Sequence, residues 1–194
     1  MKVFISGGCK NGKSTYALAL AKRQPGPLYY IATMNAADRE DDERIAKHRR
    51  EREGLGFITL EQPRCIENIL EKCDHDGSFL LDSLTALLAN EMFSSQVGSE
   101  NVENVFDTGA CERISSGLIK ILSKIRRIVI VSDYIYSDAI LFDPLTEEYR
   151  KSLAAIDRLA AKHCGVVLEA AYAQLIAHKG GNIFARGANS HEIH

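Results

Sequence analysis

The feature that most constrains this chain is residues 7–14, which read G-G-C-K-N-G-K-S and fit the pattern G-x-x-x-x-G-K-[ST] directly after a strand-like opening. Glycines here let the backbone curl so that successive N–H groups face a β-phosphate, while Lys13 supplies a mobile positive charge and Ser14 can ligate Mg²⁺. Residues 15–22 follow with high helix propensity, so the phosphates would also lie at a helix N-terminus. The alternative is a chance glycine-rich turn, but the strand and helix on either side favour a nucleoside triphosphate site. Its predicted residues are Gly7, Gly8, Cys9, Lys10, Asn11, Gly12, Lys13 and Ser14.

Length and composition limit what surrounds this loop. The chain has 194 residues, 45% of them hydrophobic and 26% charged, which predicts one substantial core. We expect a single nucleotide-binding catalytic domain over residues 1–178 and a C-terminal tail over residues 179–194. The formal charge of −2 argues against a general nucleic-acid or anionic-membrane binder, because such proteins need a net basic face.

The cellular compartment is predicted from the cysteines and the apolar runs. The five cysteines are scattered and form no C-x-x-C pair, which favours a reducing cytoplasm over a disulfide framework or a zinc site. No signal-like segment precedes the first strand, and no apolar run approaches the ~18 residues of a membrane span. We therefore expect a cytoplasmic protein without a membrane span.

Apolar runs of strand length alternate with helical stretches, which is typical of an α/β fold with helices on both faces of a mainly parallel sheet. The predicted strands are residues 3–6, 28–32, 57–60, 79–82, 128–132, 166–168 and 172–177. The predicted helices are residues 13–23, 38–53, 65–73, 84–94, 110–124 and 146–163, and residues 96–105 are expected to form a polar loop or lid. The last two strands are too close in sequence for a crossover helix, so the final strand should run antiparallel.

Asp82 ends an apolar strand, as the acidic residue of a Walker B strand does. If this strand lies beside the strand of the phosphate loop, Asp82 would hold Mg²⁺ together with Ser14. The alternative is that Asp82 only caps the helix predicted to follow it.

Residues 38–53 are highly charged and have too few apolar positions for a core-facing stripe, so this helix should lie largely in solvent. Acidic residues precede basic ones along it, which suits the helix macrodipole. Arg44, His48 and Arg52 recur at i, i+4 and i+8, so one face presents an imidazole between two guanidinium groups. Such a face could bind a triphosphate and offer it a nucleophile; the alternative is an ordinary surface histidine.

Several motifs together resemble the CobU family of bifunctional adenosylcobinamide kinases and adenosylcobinamide-phosphate guanylyltransferases, which act in cobalamin biosynthesis. The matching segments are residues 7–14, Y-Y-I-A-T at 29–33, R-I-A-K-H-R at 44–49 with Arg52, T-L-E at 59–61, and L-L-D-S-L-T at 80–85 with Asn90. The resemblance implies a RecA-like P-loop fold, a three-layer sandwich assembled as a homotrimer. The substrates it implies are adenosylcobinamide or its phosphate, with ATP and GTP as nucleotides.

The resemblance also implies roles for individual residues. His48 would be the nucleophile that forms a guanylyl-histidine, and Lys13, Arg49 and Arg52 would neutralise phosphate charge with Mg²⁺ at Ser14 and Asp82. The family's nucleotide contacts correspond here to Thr33, Met34, Asn35, Arg50, Glu51, Arg52, Glu53, Glu61 and Asp82.

The C-terminal half departs from the family pattern. Where the family commonly reads V-S-N-E-V-G, residues 131–136 read V-S-D-Y-I-Y, and in the later F-R-D-x-x-G-x-x-N-Q run Asp157 replaces Asn and Arg158 replaces Gln. Tyr134 and Tyr136 could line a substrate pocket or pack a subunit interface. These changes leave open a divergent member with one activity, a P-loop small-molecule kinase without a covalent intermediate, or a nucleotide-binding regulatory protein.

Overall fold

A seven-stranded sheet forms the centre of the protein in a computed structural model that describes residues 1–35, 39–95, 104–136 and 139–181. The strands of this sheet are β1 (Lys2–Gly7), β2 (Leu28–Ala32), β3 (Phe57–Glu61), β4 (Ser78–Asp82), β7 (Ile128–Asp133), β8 (Val166–Ala171) and β9 (Gln174–Lys179), with β5 (Phe93–Ser95) and β6 (Asn104–Phe106) forming a separate hairpin. The helices are α1 (Lys13–Lys22), α2 (Arg39–Arg52), α3 (Leu84–Met92), α4 (Ala110–Lys124) and α5 (Pro144–His163), and Ile66–Glu71 forms a 3-10 helix.

The strand order is β3-β2-β4-β7-β1-β8-β9. All neighbours are parallel except β8 and β9, so the predicted mainly parallel sheet with an antiparallel C-terminal strand is confirmed. Both middle strands β4 and β7 are buried almost throughout because helices cover both faces. The three-layer α/β arrangement of a P-loop NTPase follows from this order.

Two apolar cores lie on opposite faces of the sheet. One contains the buried side chains of α1 with alternate residues of β1 and β7, and the other contains those of α3, α4 and α5 with the remaining residues of the same strands. Alternation of side chains along each strand produces this division. The phosphate loop, between β1 and α1, therefore lies at the carboxyl edge of the sheet.

Four local predictions were wrong. The helix predicted to reach residue 94 ends at Met92, and residues 93–95 pair antiparallel with 104–106, so residues 104 and 105 of the loop expected over 96–105 belong to a strand. Instead of an α-helix over 65–73 there is a 3-10 helix, and Tyr172 and Ala173 form a turn, with φ of 50° and 56°, rather than starting the last strand. Residues 96–103 of the expected lid and 182–194 of the expected tail lie outside the described residues.

The helices of the described ranges are short or polar for a membrane span. None of the helices there is both long and apolar enough to cross a bilayer.

Candidate active site

The phosphate loop begins at Gly7, where β1 packs tightly against Ala170 of β8. A Cβ added at Gly7 would lie 2.4 Å from the main-chain oxygen of Ala170, so only glycine fits there. Gly12, with φ of 81°, takes the left-handed conformation that ends the loop and starts α1. Lys13 follows as the first residue of α1 and is 6% exposed, and its Nζ donates to the oxygen of Gly8 at 2.6 Å. The loop is thus closed on itself by the lysine that the sequence predicted to bind phosphate.

Asp133 is a second partner of this lysine, and the sequence analysis did not include it in the site. Its Oδ1 lies 2.6 Å from Lys13 Nζ, because β7 is the parallel neighbour of β1 and Gly7 pairs with Asp133 in register. Its main-chain N–H donates to Thr85 Oγ1 at 2.8 Å, which fixes the end of the strand. The signal that pointed to Asp82, a carboxylate at the end of a buried strand, was equally present here.

Asp82 does not end the strand next to the phosphate loop, as had been expected. Strand β7 lies between β1 and β4, because successive crossover connections, not chain order, set the strand order. Ser83, not Asp82, caps α3, since its side chain accepts from the N–H of Ala86 at 3.3 Å. Asp82 is 9% exposed and lines the same cavity as Ser14.

The Asp82 carboxylate lies beside Tyr30 and His48. Tyr30 donates its hydroxyl hydrogen to Asp82 Oδ2 at 2.9 Å, and His48 Nδ1 lies 3.4 Å from Oδ2 and 3.4 Å from the Tyr30 oxygen. Burial, followed by the Asp82 charge, raises the pKa of Tyr30, so its hydroxyl stays protonated. Because that hydrogen is committed to Asp82, both neighbours of His48 Nδ1 can only accept. A proton on Nδ1 would have these two acceptors within 3.4 Å, so the surroundings favour the tautomer in which a neutral ring keeps its lone pair on Nε2.

Arg52 explains how the charged helix α2 is held against the sheet. Its guanidinium group lies 3.5 Å from the centroid of the Tyr30 ring, and the residue is 8% exposed. Such a stacked cation contributes about 0.5–2 kcal/mol. Most described side chains of α2 are exposed, as predicted, but Arg52 and the partly exposed His48 form a face that docks on β2. The side chain of Arg44 lies outside the described part of the chain.

Two cavities meet at His48 and Asp82. The phosphate cavity, of about 840 Å³, is lined by the predicted residues Cys9, Lys10, Asn11, Gly12, Lys13, Ser14, Met34, His48, Arg50, Glu51 and Asp82, and also by Asp133. The side cavity, of about 470 Å³, is lined by the predicted residues Met34, Asn35, His48, Arg49, Arg52, Glu61 and Asp82. Glu53 lies in a third opening of about 810 Å³, next to Arg49 and Arg52.

The predicted nucleotide contact Thr33 lines none of these cavities. It is fully buried, and its Oγ1 donates to the oxygen of Ser83 at 2.8 Å and accepts from the N–H of Ser83 at 2.7 Å. The Thr33 hydroxyl therefore acts as both donor and acceptor to join the ends of β2 and β4. Glu61 is paired instead with Arg49, at 2.8 Å between two exposed side chains.

Comparison with known proteins decides the family. A sequence model of the family described as "cobinamide kinase / cobinamide phosphate guanyltransferase", CobU, matches residues 3–173. The chain belongs to the CobU family. It is 32% identical over 123 residues to the bifunctional adenosylcobalamin biosynthesis protein CobU of Salmonella typhimurium, over 63% of this chain and 66% of that protein. It is 40% identical over 91 residues to the corresponding protein CobP of Pseudomonas aeruginosa, over 46% and 52% of the two chains.

The matched part therefore spans between half and just under two thirds of these two CobU-family relatives. Among solved structures, a Pyrococcus horikoshii protein matches with a TM-score of 0.48 at 9% identity over 92% of this chain and 86% of that one. An ATPase of a bacterial type III secretion system matches with a TM-score of 0.42 at 16% identity over 87% and 50%. Scores this low add nothing to the strand order and the family match.

The residues that depart from the CobU-family pattern form their own contacts. The hydroxyl of Tyr134 donates to Glu169 Oε1 at 3.3 Å, and that of Tyr136 donates to Asp157 Oδ2 at 2.9 Å. Asp157 is 3% exposed, and burial raises its pKa to about 7. Each tyrosine thus has a carboxylate partner within the chain.

Proposed function

We propose that this protein is a transferase of cobalamin biosynthesis that phosphorylates adenosylcobinamide with a nucleoside triphosphate and then transfers GMP from GTP to the new phosphate. The family and the names of the two relatives support both reactions. The observation that carries the second reaction is the position of Tyr30 and Asp82 beside His48 Nδ1, because two acceptors there favour a proton on Nδ1 and leave Nε2 as the nucleophile.

The guanylyl transfer then proceeds in two displacements at His48. Its Nε2 lone pair attacks the α-phosphorus of GTP, a nitrogen–phosphorus bond forms, and the bond to the β-phosphate oxygen breaks, so that pyrophosphate leaves. The ring becomes cationic while Nδ1 keeps its proton, and the Asp82 carboxylate 3.4 Å away stabilises that charge. An oxygen of adenosylcobinamide phosphate next attacks the same phosphorus, the nitrogen–phosphorus bond breaks, and the neutral ring is restored.

Mg²⁺ fits the donors at the phosphate cavity. Magnesium takes oxygen ligands and is usually held by one or two protein groups together with nucleotide phosphates. Ser14 supplies a hydroxyl oxygen and Asp82 a carboxylate oxygen to the same cavity. Both described contacts of Asp82 engage Oδ2, so Oδ1 can ligate the metal while Oδ2 orients His48. When bound, the metal would neutralise charge that develops on the phosphates.

The chain's own cations have separate positions around this reaction. Lys13 and Arg50 line the phosphate cavity, where they would bind phosphate oxygens, whereas Arg49 and Arg52 line the side cavity next to the proposed nucleophile. Catalysis of this kind depends mainly on positioning and on electrostatic stabilisation. We further propose ATP and GTP as the nucleotides, a homotrimer and a cytoplasmic location, all by analogy with the family.

Covalent labelling tests the proposal. The protein is incubated with Mg²⁺ and GTP labelled at the α-phosphate, denatured and treated with alkali or acid. A phosphoramidate label should survive alkali and be released by acid. His48→Ala should abolish it, while His163→Ala, an exposed histidine at the end of α5, should not.

The result separates the candidate functions. No label on the wild-type protein would refute the guanylyl-histidine. Transfer from γ-labelled ATP to adenosylcobinamide without covalent label would then favour the P-loop kinase lacking the intermediate. Nucleotide binding with neither activity would favour the regulatory protein. Light scattering tests the trimer, whose mass should be three times the 21.5 kDa of the chain.

A further inference from the structure

Lys13 is held by an anion at the position where it should bind a phosphate. Its Nζ lies 2.6 Å from the oxygen of Gly8 and 2.6 Å from Asp133 Oδ1. An ammonium group has three donors, so these two acceptors occupy most of its capacity. Because Lys13 is 6% exposed and Asp133 is 25% exposed, this ion pair is only partly screened by water.

Asp82 and Asp133 both contribute negative charge to the phosphate cavity. Asp82 pairs in register with Val131, and alternate residues share a face of a strand, so Asp133 lies on the same face two residues further along β7. Both line the cavity with Lys13 and Ser14. A phosphate that draws Lys13 away from Asp133 would leave that carboxylate uncompensated beside it.

We infer that Asp133 is a specificity-determining residue that makes nucleotide binding depend on a divalent cation. It competes with the phosphates for Lys13 and repels a bare polyphosphate, whereas a cation bound to the phosphates removes that repulsion. The inference rests on the nucleotide site of the proposed function but needs no catalytic step.

The experiment measures nucleotide affinity without turnover. Calorimetry gives the Kd for GDP in Mg²⁺ and in EDTA for the wild-type protein and for Asp133→Asn, which keeps the shape of the side chain and removes its charge. The ratio of the Kd in EDTA to the Kd in Mg²⁺ should fall by about tenfold in the variant, chiefly because GDP binds more tightly in EDTA. A tenfold change is typical of moderate coupling between two binding sites, here those for the nucleotide and the cation. Asp133→Ser provides a second neutral variant if the first does not fold.

Two matched variants isolate the charge at this position. Asp133→Glu keeps the carboxylate and should keep most of the wild-type ratio. Asp107→Asn removes an exposed carboxylate that pairs with Arg113 at 2.8 Å and lines neither cavity, so its ratio should not change.

Each contrary outcome has a distinct meaning. An unchanged ratio in both neutral variants, or an equal loss of affinity with and without Mg²⁺, would overturn the role of Asp133 and leave the proposed function intact. Failure of the wild-type protein to bind GDP under either condition would overturn the nucleotide site and the proposed function with it. If the wild-type protein forms no guanylyl-histidine label but the Kd ratio falls in Asp133→Asn as expected, only the covalent intermediate would be refuted.

Discussion

Substituting Asp157 by Asn should stabilise the protein at neutral and alkaline pH. Asp157 is 3% exposed on α5, and its Oδ2 accepts from Tyr136 at 2.9 Å. Burial raises its pKa from 3.8 to about 7. The Asn side chain keeps the shape and an acceptor for Tyr136, and it restores the residue that the CobU family commonly has there.

The magnitude follows from proton linkage. The folded state binds the Asp157 proton more tightly than the unfolded state. The contribution of this proton to the free energy of unfolding is therefore fully present below about pH 4 and is lost as the pH rises to about 7. A pKa difference of about 3, at about 1.4 kcal/mol for each pKa unit, gives a loss of about 4 kcal/mol. The Asn variant does not titrate. Its advantage in free energy of unfolding should therefore grow from near zero at pH 4 to at most about 4 kcal/mol at pH 8.

Urea unfolding followed by circular dichroism at several pH values measures this difference. Asp143→Asn is the control with the opposite sign, because Thr146 and main-chain N–H groups at the start of α5 lower the pKa of Asp143. Removing that carboxylate should cost stability at neutral pH, and the cost should shrink as pH falls. A gap between wild type and Asp157→Asn that is independent of pH, or that closes as pH rises, would refute the reasoning.

Further predictions concern the site. Tyr30→Phe removes the hydroxyl that orients Asp82 and should slow covalent labelling by GTP about tenfold in single-turnover assays, with little change in nucleotide Kd. Gly7→Ala places a Cβ 2.4 Å from the Ala170 oxygen and should lower stability by about 1–3 kcal/mol in urea melts and weaken nucleotide binding in calorimetry. Thr33→Val leaves the buried Ser83 N–H without its acceptor and should cost about 1–3 kcal/mol, measured by thermal unfolding.

The sequence predicted the sheet well because local signals specify it. Six of the seven strands of the main sheet were predicted to within two residues, including the apolar runs that became β1 and β4, whereas β8 extends three residues beyond its predicted end. A buried parallel strand is a continuous apolar run between polar residues, and this is readable without long-range information. The phosphate loop was likewise readable, because its glycines are required by backbone geometry within the loop and next to it.

The sequence did not predict features that depend on which strands meet. Strands β5 and β6 have three residues each, too few for any periodic pattern. The insertion of β7 between β1 and β4 is set by the packing of crossover helices, so Asp133 was overlooked beside Lys13. Thr33 was predicted to contact nucleotide, but whether a polar residue faces a cavity or joins two strand ends depends on tertiary contacts.

The net charge of −2 argued against a general binder of nucleic acids or anionic membranes, and the phosphate cavity itself also contains acidic groups. Even at the phosphate cavity the key cation and the proposed nucleophile each have a carboxylate partner: Lys13 is bound to Asp133, and His48 lies beside Asp82. In the proposed mechanism a nucleotide displaces the first pair on binding and leaves the second in place, because Asp82 is the acceptor beside Nδ1. Under these two proposals the carboxylates on one sheet face have different tasks: Asp133 would control which form of the nucleotide binds, and Asp82 would control which ring nitrogen attacks it.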